Sequence, residues 1–531
     1  MNMQRFTIAL LICLVFAGGA LAQDFDPYLH QKAQDYTDWL IQWHSSGLGG
    51  VSDIVFTDDN YTEIERTWGA GDSEDWTATY MVSQALRYAV TGEQQAYDEV
   101  KRITQYLHIC QEITGDPGYI CRYAALDEPP WNIEHPLGLD FRHEGEGEYE
   151  GYFWLGHQSR DKYITWFWAM AWAYDVIDDD EDFRAMIRTD VREMIETLVA
   201  NDWTIIDPWG DIWAAASIDG ILRFQMAAQA AFILNEPEFW TLVDEVFEGQ
   251  RLYYIVNSIA FFNKYSEYYA FINVYSSAQG LFRYWPDRER MEYIFRIWNI
   301  NIRPQSGFGH NPFFDAVQYQ ACKRLETCDP EDLAYIEQDA YQSLVDMNEA
   351  PNYQRHENIR QDLPMDEFSV WADGILANFP WIEQLTGFDI DPVIMPAREI
   401  SDRCWESVMW ERSPHLLDCD DPDYPEHVTH GADYLIAYWL GVYYGILPGP
   451  GPFADPPFTD PGDDDDTTGD DDTTGDDDTI GDDDDNNDDT VDDDDDEVDD
   501  DDDAVDDDDD NDDNNDAAGD DDDNDSGGGC G

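Results

Sequence analysis

The chain has 531 residues and a formal net charge of −89, and this charge is unevenly distributed. Residues 463–525 contain 40 Asp and Glu but no Lys, Arg or aromatic residue, which leaves −49 for the other residues. Those other residues are rich in Trp, Tyr and Phe and can bury a large core. Nucleic acid and anionic lipid bind to basic protein surfaces, and so acidic a chain excludes both as partners.

Three segments are predicted in chain order. Residues 1–22 are typical of a secretion signal, because Arg5 precedes an apolar run and Ala20-Leu21-Ala22 gives the small-x-small cleavage pattern. Residues 23–460 form the folded domain. Residues 461–531 are an Asp-rich tail with too few apolar residues to fold, so we expect it to be disordered and to bind divalent cations loosely. The protein is therefore expected to be extracellular, either secreted or tethered to the cell surface, and monomeric.

Six cysteines fall into sequence-local pairs, which fits export to an oxidising compartment. Other connectivities remain open. Zinc binding is the alternative, but the chain has no C-x2-C spacing and no paired His near these cysteines. We therefore expect no metal and no cofactor. The predicted disulfides are Cys110–Cys121, Cys322–Cys328 and Cys404–Cys419.

Helical periodicity runs through nearly all of the domain. Acidic first turns, as at Asp182, and Gly or Pro at boundaries, as at Gly92 and Pro330, mark where helices start and stop. The stretch 116–159 is rich in Gly, Pro and charge, and is predicted to be loop with at most a short hairpin. The predicted helices span 28–45, 72–91, 93–113, 160–178, 182–202, 211–234, 238–256, 264–285, 287–302, 310–325, 330–349, 366–386 and 431–446.

Two types of helix alternate along the chain. Residues 163–174 and 212–231 are apolar nearly all round, which indicates burial on every side, whereas 93–113, 182–202 and 330–349 are amphipathic. About six such pairs with short connections predict an all-α fold, an (α/α)6 toroid in which an outer ring of helices wraps an inner ring. An irregular helical bundle or solenoid is the alternative, although no fixed-length repeat is present.

Two parts of the sequence resemble known proteins. The segments 71–80 (GDSEDWTATY), 87–92 (RYAVTG) and 114–118 (TGDPG) resemble the opening hairpins of six-hairpin glycosidase-type toroids. This resemblance, in architecture and local texture, covers residues 28–446. It implies carbohydrate chemistry in a central funnel and assigns no individual catalytic residue. The tail, with its DTTGD repeats and closing GGGCG, resembles the acidic spacer and Gly-Cys signal of secreted myxobacterial-type proteins.

In a toroid, the mouth collects the N-termini of the inner helices, whose partial positive charge suits anionic or hydroxyl-rich ligands. Indoles there would stack on sugars, and carboxylates would accept sugar hydroxyls. Each such residue also has a structural interpretation as a helix cap, a core aromatic or a member of an internal ion pair. The candidates are Asp72, Glu74, Asp75, His157, Ser159, Arg160, Asp161, Asp207, Asp211, Glu267, Tyr268, His310, Asn311, Asp366, Glu367, His430 and Asp433, interleaved with Trp76, Trp154, Trp209, Trp213 and Trp371.

The run from His157 to Asp161 is the strongest local candidate, because charged residues at the head of a buried helix are costly unless paired or used. Asp161 is predicted to be a general acid with a raised pKa. Its candidate catalytic partners are Asp75, Asp211 and His157. The predicted substrate-binding residues are Arg160, Arg122, Trp76, Trp154, Trp213, His310 and Asp366.

These features predict a secreted glycoside hydrolase that acts on a polysaccharide or oligosaccharide through paired carboxylates at the mouth of the toroid. Two alternatives stay open. A polysaccharide lyase acting on an acidic glycan would use Tyr or His as its base and Arg to neutralise the uronate. A non-catalytic glycan-binding or surface protein would keep the scaffold without the chemistry.

Overall fold

The computed structural model describes residues 24–133, 141–213, 216–259, 269–307, 309–353, 400, 423 and 425–458, with the backbone alone for 251–259, 269–270, 305 and 353. The described part is mostly helical. Its helices are α1 (Pro27–Trp39, followed by a π-helical turn, Leu40–His44), α2 (Ser73–Thr91), α3 (Gln94–Glu112), α4 (Arg160–Val176), α5 (Glu181–Ala200), α6 (Gly220–Leu234), α7 (Pro237–Ile259), α8 (Tyr269–Tyr284), α9 (Arg288–Asn301), α10 (Arg303–Ser306), α11 (Pro312–Leu325), α12 (Pro330–Asp346) and α13 (Ala432–Tyr444).

The helix ends follow from local chemistry. The side chains of Asp26, Asp180 and Asp287 accept hydrogen bonds from the first-turn backbone of α1, α5 and α9. Gly92 ends α2 in the left-handed region, with φ 68°, where a residue without Cβ is least strained. These signals are short-range, so the sequence located most of the helices within a few residues.

Helix α4 confirms the prediction of a helix that is buried on every side. All side chains from Lys162 to Ala173 are buried, among them Trp166, Trp168 and Trp172. Helix α3, in contrast, buries one face and exposes the other. Burial of three indoles in one helix removes a large apolar area from water and makes α4 a central element of the core.

The helices that are buried nearly all round contact one another in succession. Helix α2 packs against α4, α4 against α6, α6 against α8, α8 against α11, α11 against α13, and α13 against α2. The amphipathic helices lie beside them: α3 packs against α2, α5 against α4, α7 against α6, α9 against α7 and α11, α12 against α11, and α1 against α13. The main core lies among and between these two sets.

Two small antiparallel sheets were not predicted. The first joins β1 (Asp53–Phe56), β2 (Ile64–Trp68), β6 (Asn352–Tyr353) and β7 (His427–Thr429) in the order β2-β1-β7-β6. The second joins β3 (Tyr123–Leu126), β4 (Arg142–Glu144) and β5 (Tyr152–Leu155) in the order β3-β5-β4. It lies within the stretch 116–159, which therefore holds a three-stranded sheet and more structure than the predicted loop.

One predicted helix starts later than expected. Helix α6 begins at Gly220 and not at residue 211, and residues 211–213 and 216–219 are not helical. Asp207 causes this, because its Oδ1 accepts hydrogen bonds from the backbone N–H of Trp209 (3.0 Å) and of Asp211 (2.7 Å) and so holds a turn. The predicted helix 366–386 lies outside the described residues.

The cysteine predictions have different outcomes. The Cys322–Cys328 disulfide is confirmed. The prediction for Cys110 and Cys121 is wrong in this structure, where both are buried free thiols. The backbone N–H of Cys121 donates to the Cys110 carbonyl at 2.8 Å, so the main chains are held together without a covalent bond between the sulfurs. The third predicted pair, Cys404–Cys419, lies outside the described residues.

The signal segment 1–22 and the tail 461–531 also lie outside the described residues. Within the described part, no helix combines the length and the apolar character that crossing a membrane requires.

Candidate active site

A buried lysine lies at the centre of a group of carboxylates where α2 and α4 begin. The ammonium nitrogen of Lys162 is 2.7 Å from Asp72 Oδ1, 2.5 Å from Asp75 Oδ2 and 2.6 Å from Asp161 Oδ2. We call Asp72, Asp75, Asp161 and Lys162 the acid cluster. Its burial differs from one residue to the next, since the side chain of Asp72 is 37% exposed and that of Asp161 23%, but those of Asp75 and Lys162 only 1%.

The local fold explains why these carboxylates meet. Asp72 and Ser159 occupy the N-cap positions of α2 and α4, yet neither side chain caps its helix by a hydrogen bond. The hydroxyl of Ser159 instead donates to Asp161. Because α2 and α4 pack side by side, two helix N-termini converge here, and their partial positive charges favour carboxylates. The helix-cap interpretation of Asp72 and Ser159 is therefore wrong.

The prediction that Asp161 has a raised pKa is also wrong. Burial alone would raise this pKa, but the charges of Lys162 and Arg122 and the hydrogen bonds from Lys162 and Ser159 hold the pKa of Asp161 well below its usual range. The pKa of Lys162 is raised in turn, since Asp161, Asp72 and Asp75 together outweigh its burial. Asp161 is therefore ionised, and Lys162 is charged.

Asp75 has the opposite behaviour. Burial raises the pKa of Asp75 to about 7; the charge of Lys162 opposes this rise, and the charges of Asp161 and Asp72 add to it. One lysine thus contacts an ionised, partly exposed carboxylate and a buried carboxyl that titrates near neutral pH. Two carboxyls with such separated pKa values are the arrangement that acid and base roles require.

A second buried carboxyl lies behind Asp75. The Thr165 hydroxyl oxygen is 2.7 Å from Asp75 Oδ1 and 3.1 Å from Glu74 Oε2. Burial, followed by the charge of Asp75, raises the pKa of Glu74 well above its usual value, and the Lys162 charge opposes this rise. Burial therefore favours the protonated form of Glu74.

Arg122 belongs to the site as a structural support. Its guanidinium donates to the carbonyls of His157 (2.9 Å) and Gly71 (2.8 Å) and to the Ser159 hydroxyl (3.2 Å), and lies 3.7 Å from Asp72 Oδ1. These contacts tie the segment before α4 to the turn before α2. Arg122 was predicted to bind the carboxylate of a uronate substrate. These hydrogen bonds leave its guanidinium poorly placed for that role.

Two exposed indoles lie on the loop that precedes α6, and we call Trp209 and Trp213 the tryptophan platform. His157 stacks on Trp213 with ring centroids 3.6 Å apart, and His143 stacks on Trp209 at 4.3 Å. Trp154 is buried and lies parallel to Trp209 at 5.8 Å. The platform is linked to the acid cluster through His157, whose carbonyl binds Arg122. His157 and Trp154 therefore support the platform from behind.

Several predicted site residues lie elsewhere. Asp211 is exposed, and its backbone completes the turn held by Asp207. His310 pairs with Asp339 of α12 at 2.7 Å. Trp76 is buried against His430, with ring centroids 4.8 Å apart. Arg160 donates weakly to the Ser217 carbonyl at 3.4 Å. Asp366 lies outside the described residues, as do Glu267, Tyr268, Glu367 and Trp371.

The central residue, Lys162, was not predicted from the sequence to be a site residue. A usable signal existed: it is one of five lysines in the chain and the third residue of a helix whose other side chains are almost all apolar. A lysine buried there must pair with carboxylates or lose its proton. The pairing could have been inferred, but the identity of all three partners required the packing of α2 against α4.

The acid cluster is also the place where the described residues could bring three ligands to a cation, since oxygens of Asp72, Asp75 and Asp161 lie within 4.8 Å of one another. Lys162 supplies the positive charge at that position. A separate cleft of about 530 Å³ lies between α5 and α7, lined by apolar residues such as Ile195 and Phe239, and includes no residue of the acid cluster.

Comparisons with known proteins provide no further assignment, since no protein-family model and no curated protein sequence matches the chain.

Proposed function

We propose that the chain is a carbohydrate-active hydrolase in which Asp161 and Asp75 divide the chemistry at the mouth of an (α/α)6 toroid. The observation that carries this proposal is the acid cluster itself, in which one buried lysine joins an ionised, partly exposed carboxylate to a carboxyl that titrates near neutral pH. Burying that many charges is costly, so a function is a better explanation than stability alone.

The helix contacts support the toroid. Each helix of the fully buried set packs against the next, and α13 packs back against α2, which is what a closed inner ring requires. Each also has an amphipathic neighbour, as an outer ring requires; for α8 this is α9, through the contacts of the Phe282 ring with Phe295 and Trp298. The acid cluster stands at the N-terminal ends of two neighbouring buried helices, where the mouth of a toroid would lie.

The spacing of the carboxylates favours retention of anomeric configuration. Asp75 Oδ2 and Asp161 Oδ2 contact the same ammonium nitrogen, at 2.5 Å and 2.6 Å, which places them closer together than the roughly 6.5–9.5 Å of inverting enzymes. Asp161 would attack the anomeric carbon as the glycosidic C–O bond breaks, and the proton of Asp75 would go to the leaving oxygen. Water would then cleave the glycosyl ester and return a proton to Asp75.

Access is a condition of this mechanism. Asp75 is buried beneath Lys162, so the proposal requires sugar binding to displace the Asp72 or Lys162 side chain before the proton is delivered. The tryptophan platform supplies the apolar surface on which a sugar ring stacks, and its Trp213 stacks on His157, four residues before Asp161.

A non-catalytic glycan-binding protein is the second candidate. It is favoured by the fact that Lys162 lies within ion-pair distance of all three carboxylates, which compensates their charge without any substrate. A lyase has no such supporting observation, because Arg122 is committed to Gly71, His157 and Ser159.

The test is a panel of neutral and uronate-containing polysaccharides incubated with the wild type and with Asp161→Asn. The proposal expects new reducing ends from a neutral glycan with the wild type only. Binding without products from the wild type would favour the glycan-binding protein. Unsaturated products from a uronate-containing glycan would overturn the hydrolase in favour of the lyase.

A further inference from the structure

The hydroxyl of Thr165 lies within hydrogen-bond distance of two carboxyl groups, but it can donate to only one of them. Its oxygen is 2.7 Å from Asp75 Oδ1 and 3.1 Å from Glu74 Oε2. A threonine hydroxyl has one hydrogen to donate. If both carboxyls were ionised, one of them would face the hydroxyl oxygen without a proton between them, so at least one carboxyl is protonated.

The surroundings identify Glu74 as the protonated one. Its side chain is fully buried, and no ion pair to its carboxylate is found in the described part of the chain. Its Oε1 has no hydrogen-bond partner among the described residues. Asp75, in contrast, lies 2.5 Å from the Lys162 ammonium. A buried carboxylate without a cation or donors is far costlier than the neutral acid.

The other groups around Glu74 point the same way. Among the described residues, the ionisable groups in electrostatic interaction with Glu74 are Asp75, Lys162, Cys110, Cys121 and Tyr163. Lys162 alone is positively charged, and it is already in contact with Asp72, Asp75 and Asp161.

We infer that Glu74 is a positioning residue whose carboxyl stays protonated and donates a hydrogen bond to Thr165 Oγ1. The Thr165 hydroxyl therefore donates its own hydrogen bond to Asp75. The inference rests on the proposed function only in one respect, namely that the proton of Asp75 is delivered to the leaving oxygen. With the Thr165 hydrogen bond fixed, Asp75 has donors on both oxygens, from Thr165 and Lys162. These contacts favour its ionised form against the effect of burial and keep its titration near neutral pH.

The test is a carboxyl ¹³C NMR titration of the full chain labelled at Asp and Glu, from pH 4.5 to 9, and it requires no activity. Signals are assigned by loss in Glu74→Gln and Asp75→Asn. Glu74 is expected not to titrate between pH 5 and 8, and Asp75 is expected to titrate near 7 in the wild type.

The variants separate the two possible protonation states. Glu74→Gln preserves a neutral donor, so the midpoint of Asp75 should stay within a few tenths of a pH unit. Thr165→Val removes the donor, and the midpoint should rise by roughly one pH unit, whereas Thr165→Ser should leave it unchanged.

Titration of Glu74 below pH 6 would overturn the inference. So would a fall of roughly one pH unit in the midpoint of Asp75 on Glu74→Gln, since that fall would reveal a negative charge on Glu74 in the wild type. The Glu74→Gln result decides the question even if Thr165→Val does not fold. Absence of hydrolysis with the expected titrations would contradict the proposed function and leave this inference intact.

Discussion

Helix α4 contributes to two ionic clusters with different compositions. At its N-terminal end is the acid cluster, which it shares with α2. Near its C-terminal end, Asp175 of α4 binds Arg283 of α8 at 2.6 Å, and Arg283 also binds Asp455, beyond α13, at 2.8 Å. Arg324 of α11 also approaches Asp455 at 3.4 Å, and the Tyr444 hydroxyl donates to Asp455 at 2.9 Å. We call these five residues the arginine cluster.

The difference between the clusters lies in charge balance. The arginine cluster has two cations for two carboxylates, and the Arg283 guanidinium is covered by the Trp172 ring at 4.0 Å. The acid cluster has three aspartates around one lysine, with Arg122 at its edge, and two of those aspartates reach solvent. The side chain of Asp175 is 22% exposed, close to the 23% of Asp161, so charge balance and not exposure separates the clusters. A charge-balanced network fixes structure, whereas an excess of carboxylates over cations is typical of a site that binds or reacts.

The largest expected effect is the loss of stability when the central cation of either cluster is removed. Lys162→Met leaves three carboxylates without their cation and should lower the free energy of unfolding by about 3–5 kcal/mol at neutral pH. Arg283→Met should cost a similar amount for the same reason. Urea unfolding at pH 7 measures both losses.

Activity then distinguishes these two variants. Per folded molecule, Lys162→Met should lose turnover and Arg283→Met should keep it. Equal turnover in the two variants would remove the functional contrast between the clusters.

The next effect concerns pH. The pKa of Asp75 is raised from 3.8 to about 7, so the folded state holds a proton that the unfolded chain releases above about pH 4. Stability should therefore fall as pH rises from about 4 to 7, with a slope of up to ~1.4 kcal/mol per pH unit for this proton. Asp75→Asn should remove this contribution and leave the slope that protonated Glu74 adds, whereas Thr165→Ser should retain both. Urea midpoints measured from pH 4.5 to 8 check this, and identical slopes in the wild type and Asp75→Asn would refute it.

A smaller effect concerns the tryptophan platform. Trp213→Ala should weaken glycan binding by about 1 kcal/mol, or several-fold in affinity, through loss of stacking. Trp68→Ala is a matched control, because Trp68 is 39% exposed against 40% for Trp213 but lies in β2, outside the platform. Affinity measured with the glycan found in the panel should change in the first variant alone, and equal losses would show that the platform does not define the site.

The smallest effect concerns charge outside both clusters. The −49 carried outside the tail should repel itself at low ionic strength, and salt should screen this repulsion within about 8–10 Å. The melting temperature should rise modestly from low to molar NaCl. A chain ending at Asp460 should show the same rise, because it keeps this charge. A flat or falling midpoint would be inconsistent with the idea.

The sequence predicted the helices well because periodicity and capping are local. It missed the first sheet because its pairing is distant: Ile54 of β1 lies opposite Val428 of β7, and neither strand is long enough to show alternation. The loop before α6 was taken for helix because Ile212 and Trp213 continue an apolar run, while the turn held by Asp207 was not recognised.

The candidate site was predicted in part for a related reason. Asp161 and Asp75 were identified from their positions at helix starts, and the structure brings both to Lys162. Their protonation could not be derived from sequence, because the pKa of each depends on which charges lie within a few ångströms of it in the folded chain. That is why the predicted acid, Asp161, is the ionised member, whereas Asp75 is the member that titrates near neutral pH.

The most direct test of the account compares matched Asp→Asn changes in the two clusters. Turnover and thermal melting should be measured on the same preparations of the wild type, Asp161→Asn and Asp455→Asn. Asp161→Asn should lower turnover roughly 10²-fold or more with a small change in melting temperature. Asp455→Asn should lower the melting temperature and keep turnover per folded molecule. Activity of Asp161→Asn within a few-fold of the wild type would contradict the account and remove Asp161 from the mechanism.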